Sequence, residues 1–167
     1  MHTSKGIIKV ELLKEAHPVT VANFVSKIKS NIYLNKNFYR IINYPNNKLI
    51  HNGLNKANNF GQVYLKNIIK LETIPLEINL NNKETIYETP ILNPLQIKNI
   101  KHKFERGSLS MVKVSKNRSS STEFFFSLNN MPEFDGRYSI FGKVISGLEI
   151  LNNIDKSDLI KRIEFYD

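Results

Sequence analysis

The sequence predicts a mainly β protein, a closed antiparallel barrel capped by helices. Short β-prone runs bounded by turn residues recur along the chain, one clear amphipathic helix comes early, and a weaker one comes late. Lys5–Leu13 alternates Ile7, Lys9 and Glu11 with Ile8, Val10 and Leu12, the period of an opening strand. Pro18 suits the first turn of a helix, where its missing N–H costs nothing. Val21, Phe24, Val25 and Ile28 then fall on one helical face. Asn37–Ile42 and Lys48–Ile50 read as short strands on either side of the turn-rich NYPNN at 43–47. Ile74–Leu80 reads as another strand, with Pro75 marking an edge or a start. Asn81–Phe104 is polar and proline-punctuated, the character of an extended insertion. Ser108–Val114, Glu123–Leu128 and Tyr138–Val144 are three further strands, the last two separated by the turn pair Asp135-Gly136. Leu148–Ile154 is the second helix, and Ile160–Tyr166 closes the chain as a strand.

A chain of 167 residues fits one domain with a sizeable core, and no internal repeat or linker divides it. No apolar run approaches the ~20 residues of a membrane span. The N-terminus lacks the pattern of an export signal, so the expected compartment is the cytoplasm. With no cysteine, disulfides and thiolate chemistry are excluded. The histidines at 2, 17, 51 and 102 have no paired metal-ligand spacing, and neither GxGxxG nor GxxxxGK occurs, so no cofactor is expected. The net charge of +9 is uneven: residues 1–70 hold eleven Lys/Arg against Glu11 and Glu15, whereas 71–167 balance thirteen against thirteen. Such asymmetry attracts anionic partners. Arginine, the usual choice for phosphate and base contacts, is scarce beside lysine. Compositional drift is the simpler account, and no specific nucleic-acid binding is expected.

Four blocks in order carry the functional signal: GIIKVELLKEAHPVTVANFV at 6–25, FYRII at 38–42, GSLSMVKV at 107–114, and STEFFFSL followed by EFDGRYSIFG over 121–142. Together they resemble the cyclophilins, a family of peptidyl-prolyl cis-trans isomerases. The likeness fades from about Leu54 to Phe104 and then returns. It implies an eight-stranded antiparallel barrel capped by two α-helices, one domain over 1–167 with a divergent insertion at about 81–104. IPLEI at 74–78 and Asp158-Leu159-Ile160 further resemble an inserted bacterial branch also found in plastids.

The chemistry such a protein performs needs no nucleophile or metal. Amide rotation costs ~18–20 kcal/mol, and X–Pro exchange is slow although cis and trans differ little in energy. A catalyst must bind the twisted amide better than either planar form. The pyramidalised prolyl nitrogen gains a lone pair, and a fixed guanidinium is a suitable donor to it. By resemblance Arg40 is that group, although alone it also reads as an arginine snorkelling over a strand. Phe125 matches the proline-pocket phenylalanine, Phe134, Met111 and Leu49 line or back the pocket, and backbone groups at Lys113 anchor a substrate carbonyl. Ordinary core is the competing reading for Phe125, Phe134, Met111 and Leu49. Ser119–Ser121 lacks a histidine or acid at a supporting spacing and reads as a small-residue loop.

The departures from the family pattern are specific. Glu123 stands where glutamine is usual; it either pairs with Arg40 and preorganises it, or draws it from the proline. His51-Asn52-Gly53 replaces Gln-Gly-Gly after an insertion of about three residues, and His51 either substitutes for the glutamine that orients the arginine or is a surface turn residue. Tyr138 occupies the place of a pocket histidine. Glu133 replaces the tryptophan of cyclosporin-sensitive members, so cyclosporin binding is expected to be weak or absent. Tyr44 is a candidate replacement for a missing pocket phenylalanine. Glu133 and Asp135 otherwise read as solvated turn carboxylates. The expected partners are proline-containing peptides or protein clients of a monomer. The alternative is a catalytically weakened cyclophilin-fold binding or scaffold protein, using a basic N-terminal half against an anionic partner.

Overall fold

The computed structural model describes residues 1–44, 47–54, 72–82 and 84–166. In chain order the strands and helices are β1 (His2–Thr3), β2 (Lys9–Leu12), α1 (Pro18–Lys29), β3 (Arg40–Tyr44), β4 (Asn47–Asn52), β5 (Thr73–Pro75) and β6 (Glu77–Asn79). They continue as β7 (Thr85–Tyr87), α2 (Pro94–Ile97), β8 (Ser108–Lys113), β9 (Arg118–Ser127), β10 (Ile140–Ser146), α3 (Leu148–Asn152) and β11 (Ile160–Arg162). The main sheet has seven strands in the order β2-β10-β8-β9-β4-β3, with β5 added to the free half of the β9 edge that β4 leaves. Strands β1 and β11 form one separate pair and β6 and β7 another.

Val10 and Leu12 at one end of the main sheet and Ile41 at the other pack against a single core of Phe38, Ile50, Leu109, Met111, Phe124, Phe126 and Phe141. That shared core is what a barrel requires, and it makes the architecture mainly β with helices laid over it. Among the described residues no ladder pairs β2 with β3, so the sheet is a curved path rather than a hydrogen-bonded ring. No helix among them is long and apolar enough to cross a membrane.

Helix α1 forms as its pattern predicts. Pro18 opens it, Thr20, Val21, Phe24 and Ile28 are buried, and Val25 packs half-buried against the core. The Phe24 ring meets Phe124 edge-on at 5.3 Å and Phe141 at 4.9 Å. Its start is unusual, because the N-cap residue His17 makes no side-chain cap bond. The first amides are satisfied from far along the chain. Val19 N–H donates to Glu77 Oε1 at 3.0 Å, and Thr20 N–H and Oγ1 donate to Glu77 Oε2 at 2.7 and 2.5 Å. A carboxyl group at a helix N-terminus also complements the helix dipole.

The expected strand over 74–80 is two strands. Thr73–Pro75 pairs with β9, the chain turns at Leu76, and Glu77–Asn79 pairs with β7. The tract read as an irregular insertion therefore holds a strand and a short helix. Leu76, Ile78, Ile91 and Ile100 give it a small core of its own. The closing strand is shorter than its apolar pattern, ending at Arg162. Part of the NYPNN turn, at 45–46, lies outside the described residues, as does the Tyr44 side chain.

Candidate active site

Directly opposed residues on neighbouring strands point to the same face of a sheet. One such row crosses the centre of this sheet. Arg40 in β3 opposes His51 in β4, and His51 opposes Phe125 in β9. Phe125 opposes Ser110 in β8, and Ser110 opposes Ile140 in β10. A second apolar cluster forms on this face from Leu49, Phe104, Phe125, Met131 and Ile140, with Ile42, Val112, Phe134 and Tyr138 packed against it. Arg40, Phe125, Phe134, Leu49, Tyr138 and His51, singled out on different segments, thus meet on one surface.

The centre of that surface is aromatic. The His51 ring stacks on Phe125 at 5.1 Å and 19°, and Phe104 lies near-parallel to it at 5.8 Å. Tyr138 meets Phe125 edge-on at 5.6 Å and packs against Phe134 at 4.7 Å. Phe104 meets Phe134 edge-on at 5.3 Å. These neighbours leave Phe125 only 2 % exposed. The Arg40 guanidinium, at the rim, is exposed.

Met111, expected to line or back the pocket, does not line it. Met111 opposes Phe124, whose ring faces the main core, and the Met111 side chain is fully buried there. Its neighbour Val112 takes the site-facing position. Asp135 is not a solvated turn carboxylate either. It is buried and accepts a hydrogen bond from Phe104 N–H at 2.6 Å, and burial is the main reason its pKa is raised.

Glu123 is fully buried and Arg40 is exposed, and both charges act on the Tyr39 phenol. Glu123 sits where β9 takes three more residues than β8 between paired positions, Met111 opposing Phe124 and Lys113 opposing Ser119. Ser120 Oγ accepts from Glu123 N–H at 3.1 Å within this bulge. Gly53 is required beside it: with φ +129°, a Cβ there would stand 2.3 Å from Thr122 O. Burial, and then Glu123, raise the Tyr33 and Tyr39 phenol pKa values.

His51 is 7 % exposed, so it is not a surface turn residue. Burial first, then Arg40, push its pKa down to about 4, which keeps the imidazole neutral near neutral pH. Its Nε2 has no hydrogen-bond partner among the described residues. Lys113 ends β8 with its Nζ 5.7 Å from the centre of the Tyr138 ring. No group of three or more metal-ligating side chains exists among the described residues.

Phe104, Val112, Met131 and Ile140 belong to the site without having been singled out from the sequence. Phe104 is held by its own backbone, donating to Asp135 and accepting from Met131 N–H at 2.8 Å. Those two bonds join the end of the divergent tract to the segment from Met131 to Asp135. Ile91 N–H adds a third link, donating to Gly136 O at 2.9 Å.

Comparison with known proteins agrees with this geometry. The family described as cyclophilin type peptidyl-prolyl cis-trans isomerase/CLD matches residues 1–164. A peptidyl-prolyl cis-trans isomerase of Helicobacter pylori is 28% identical over 166 residues, covering 98% of this chain and 83% of that protein. Peptidyl-prolyl cis-trans isomerase B of Bacillus subtilis is 30% identical over 157 residues, covering 93% and 88%. Among solved structures, a cyclophilin type isomerase of Cryptosporidium parvum, crystallised in the presence of the dipeptide Ala-Pro, is similar with a TM-score of 0.66. It is 25% identical, and the match covers 100% of this chain and 97% of that one.

Proposed function

The chain belongs to the cyclophilin-type peptidyl-prolyl cis-trans isomerases, and from that premise we propose that Arg40 and the rings around Phe125 carry the isomerisation of X–Pro bonds in protein clients. The carrying observation is the row Arg40–His51–Phe125, which sets one exposed guanidinium beside a neutral imidazole and an apolar ring on one face. The proline ring packs against the Phe125 cluster, where Leu49, Phe134 and Tyr138 supply apolar surface. Arg40 donates to the prolyl nitrogen as the amide twists, an interaction stronger in the twisted state than in either planar one. His51 takes the place of an amide side chain beside the arginine. Backbone groups of Lys113 hold a substrate carbonyl. Glu123, fully buried, helps to hold the β9 bulge through its backbone N–H, which donates to Ser120 Oγ.

The 81–104 tract is an insertion within this one domain, tied to the site by Phe104 and Ile91. Glu133, exposed on the turn before Phe134, offers cyclosporin neither an aromatic ring nor an N–H donor, so weak or absent binding is expected.

The test is NMR exchange spectroscopy on a short Ala-Pro peptide with wild type and Arg40→Ala. Wild type accelerates cis/trans exchange, and Arg40→Ala loses about 10²–10³-fold of that rate, the scale of removing one preorganised donor. Peptide signals that shift on binding without faster exchange in the wild type would instead assign the chain a binding role.

A further inference from the structure

Three cations gather at one side of the proposed proline site. Lys113 is half-buried, with Nζ over the Tyr138 ring. Arg137, exposed, is the neighbour of Tyr138 in sequence, and Lys116, exposed, follows the end of β8. Arg137 and Lys116 both act on Lys113: burial first, then these two charges, hold its ammonium below its ordinary pKa. Among the described residues, Lys113, Lys116, Arg137 and Arg40 take part in no ion pair. Of the acids on the adjoining turn, Asp135 is committed to Phe104 N–H, and Glu133 acts on Asp135.

Uncompensated like charge beside a half-buried ammonium is unfavourable in the free protein and is relieved when an anion arrives. Tyr138 holds Lys113 at the mouth of the apolar cluster, so that anion would have to lie within a few residues of the bound proline. We propose that Lys113, Lys116 and Arg137 are specificity determinants that favour X–Pro segments bearing an anionic side chain, carboxylate or phosphate, within two residues of the proline. The inference rests on the isomerase site described above and adds the charge of its preferred client.

The test uses short Ala-Pro-based peptides in which one residue, at each of the two positions on either side of proline, is glutamate, lysine or phosphoserine. The kcat/KM for cis/trans exchange is read by NMR. At one position or more, the glutamate or phosphoserine peptide should exceed its lysine counterpart about five-fold at low salt, as expected for a few exposed charge pairs. The advantage should shrink below about two-fold at about 0.3 M salt, where screening shortens the reach of each charge. The double variant Lys116→Glu/Arg137→Glu should abolish or invert the ratio. If phosphoserine alone shows the advantage, phosphate is the anion; if glutamate matches it, a carboxylate suffices. Ratios within two-fold at every position, or a preference that the double variant leaves intact, would overturn the inference while the isomerase reading stands. An uncharged Ala-Pro peptide that is not turned over at all would remove the isomerase reading first.

Discussion

Phe104 stacks on Phe125, meets Phe134 edge-on, and is held by bonds at its own N–H and C=O. Truncation to alanine removes a fully buried ring and should cost about 3–5 kcal/mol in a urea titration. It also leaves Phe125 without one of its faces, so KM for an Ala-Pro peptide should rise about ten-fold, the effect of losing ~1.4 kcal/mol of binding. A stability loss with an unchanged KM would show that Phe104 supports the fold alone. The sequence hides this role because a lone phenylalanine in KHKFERG has no periodic neighbours, and its anchor, Asp135, lies 31 residues away. Arg40, Phe125 and Tyr138 were singled out because each sits in a distinctive local string. Whether Met111 lines the pocket or backs it was open for a different reason. Alternation in GSLSMVKV shows two faces but not which one is the core, and only the pairing with Phe124 settles it.

At the scale of elements, α1 illustrates what a pattern can and cannot carry. Its apolar face and its opening proline follow from spacing and backbone chemistry, whereas its cap does not, because the acceptor is a glutamate in β6. Glu77→Ala strands the buried amide and hydroxyl of Thr20 and the part-buried amide of Val19, and should lower stability by about 2–4 kcal/mol. Amide exchange at Val19 and Thr20 should accelerate beyond the change at Phe24. Glu77→Gln, which keeps one acceptor oxygen, should recover part of the loss. A urea midpoint for Glu77→Ala within error of wild type would show that the three bonds contribute nothing net. The split of 74–80 at Leu76 was illegible for a related reason. Both halves are β-prone, and the break arises because β5 joins the β9 edge while β6 pairs with β7.

Across the whole molecule, the class and order of elements were readable from periodicity and turn residues, since these are local properties. Sheet order and the packing of both sheet ends on one core are long-range and were supplied by the family likeness. Stability should be strongly acid-sensitive. Burial, then His102, push the His17 pKa to about 3, and burial, then Arg40, push that of His51 to about 4. Both imidazoles are neutral when folded and titrate near 6.5 when unfolded, so the stability they supply is full above about pH 6.5. It falls as pH drops below that value, by up to about 1.4 kcal/mol per pH unit for each, until the folded pKa is reached. Urea midpoints measured from pH 7 to 5 should fall steadily, and His17→Asn should flatten the slope. A flat profile would place His17 in contact with solvent. The Glu77 contact also sets an order of events during synthesis. Thr20 leaves the ribosome 57 residues ahead of the glutamate that completes the first turn of its helix. At roughly 5–20 residues per second, the nascent helix waits several seconds for its cap. A helix of only twelve residues is marginal in water by itself. The earliest helix in the chain is therefore not secured when it is made, and until then its apolar face is what a chaperone would meet.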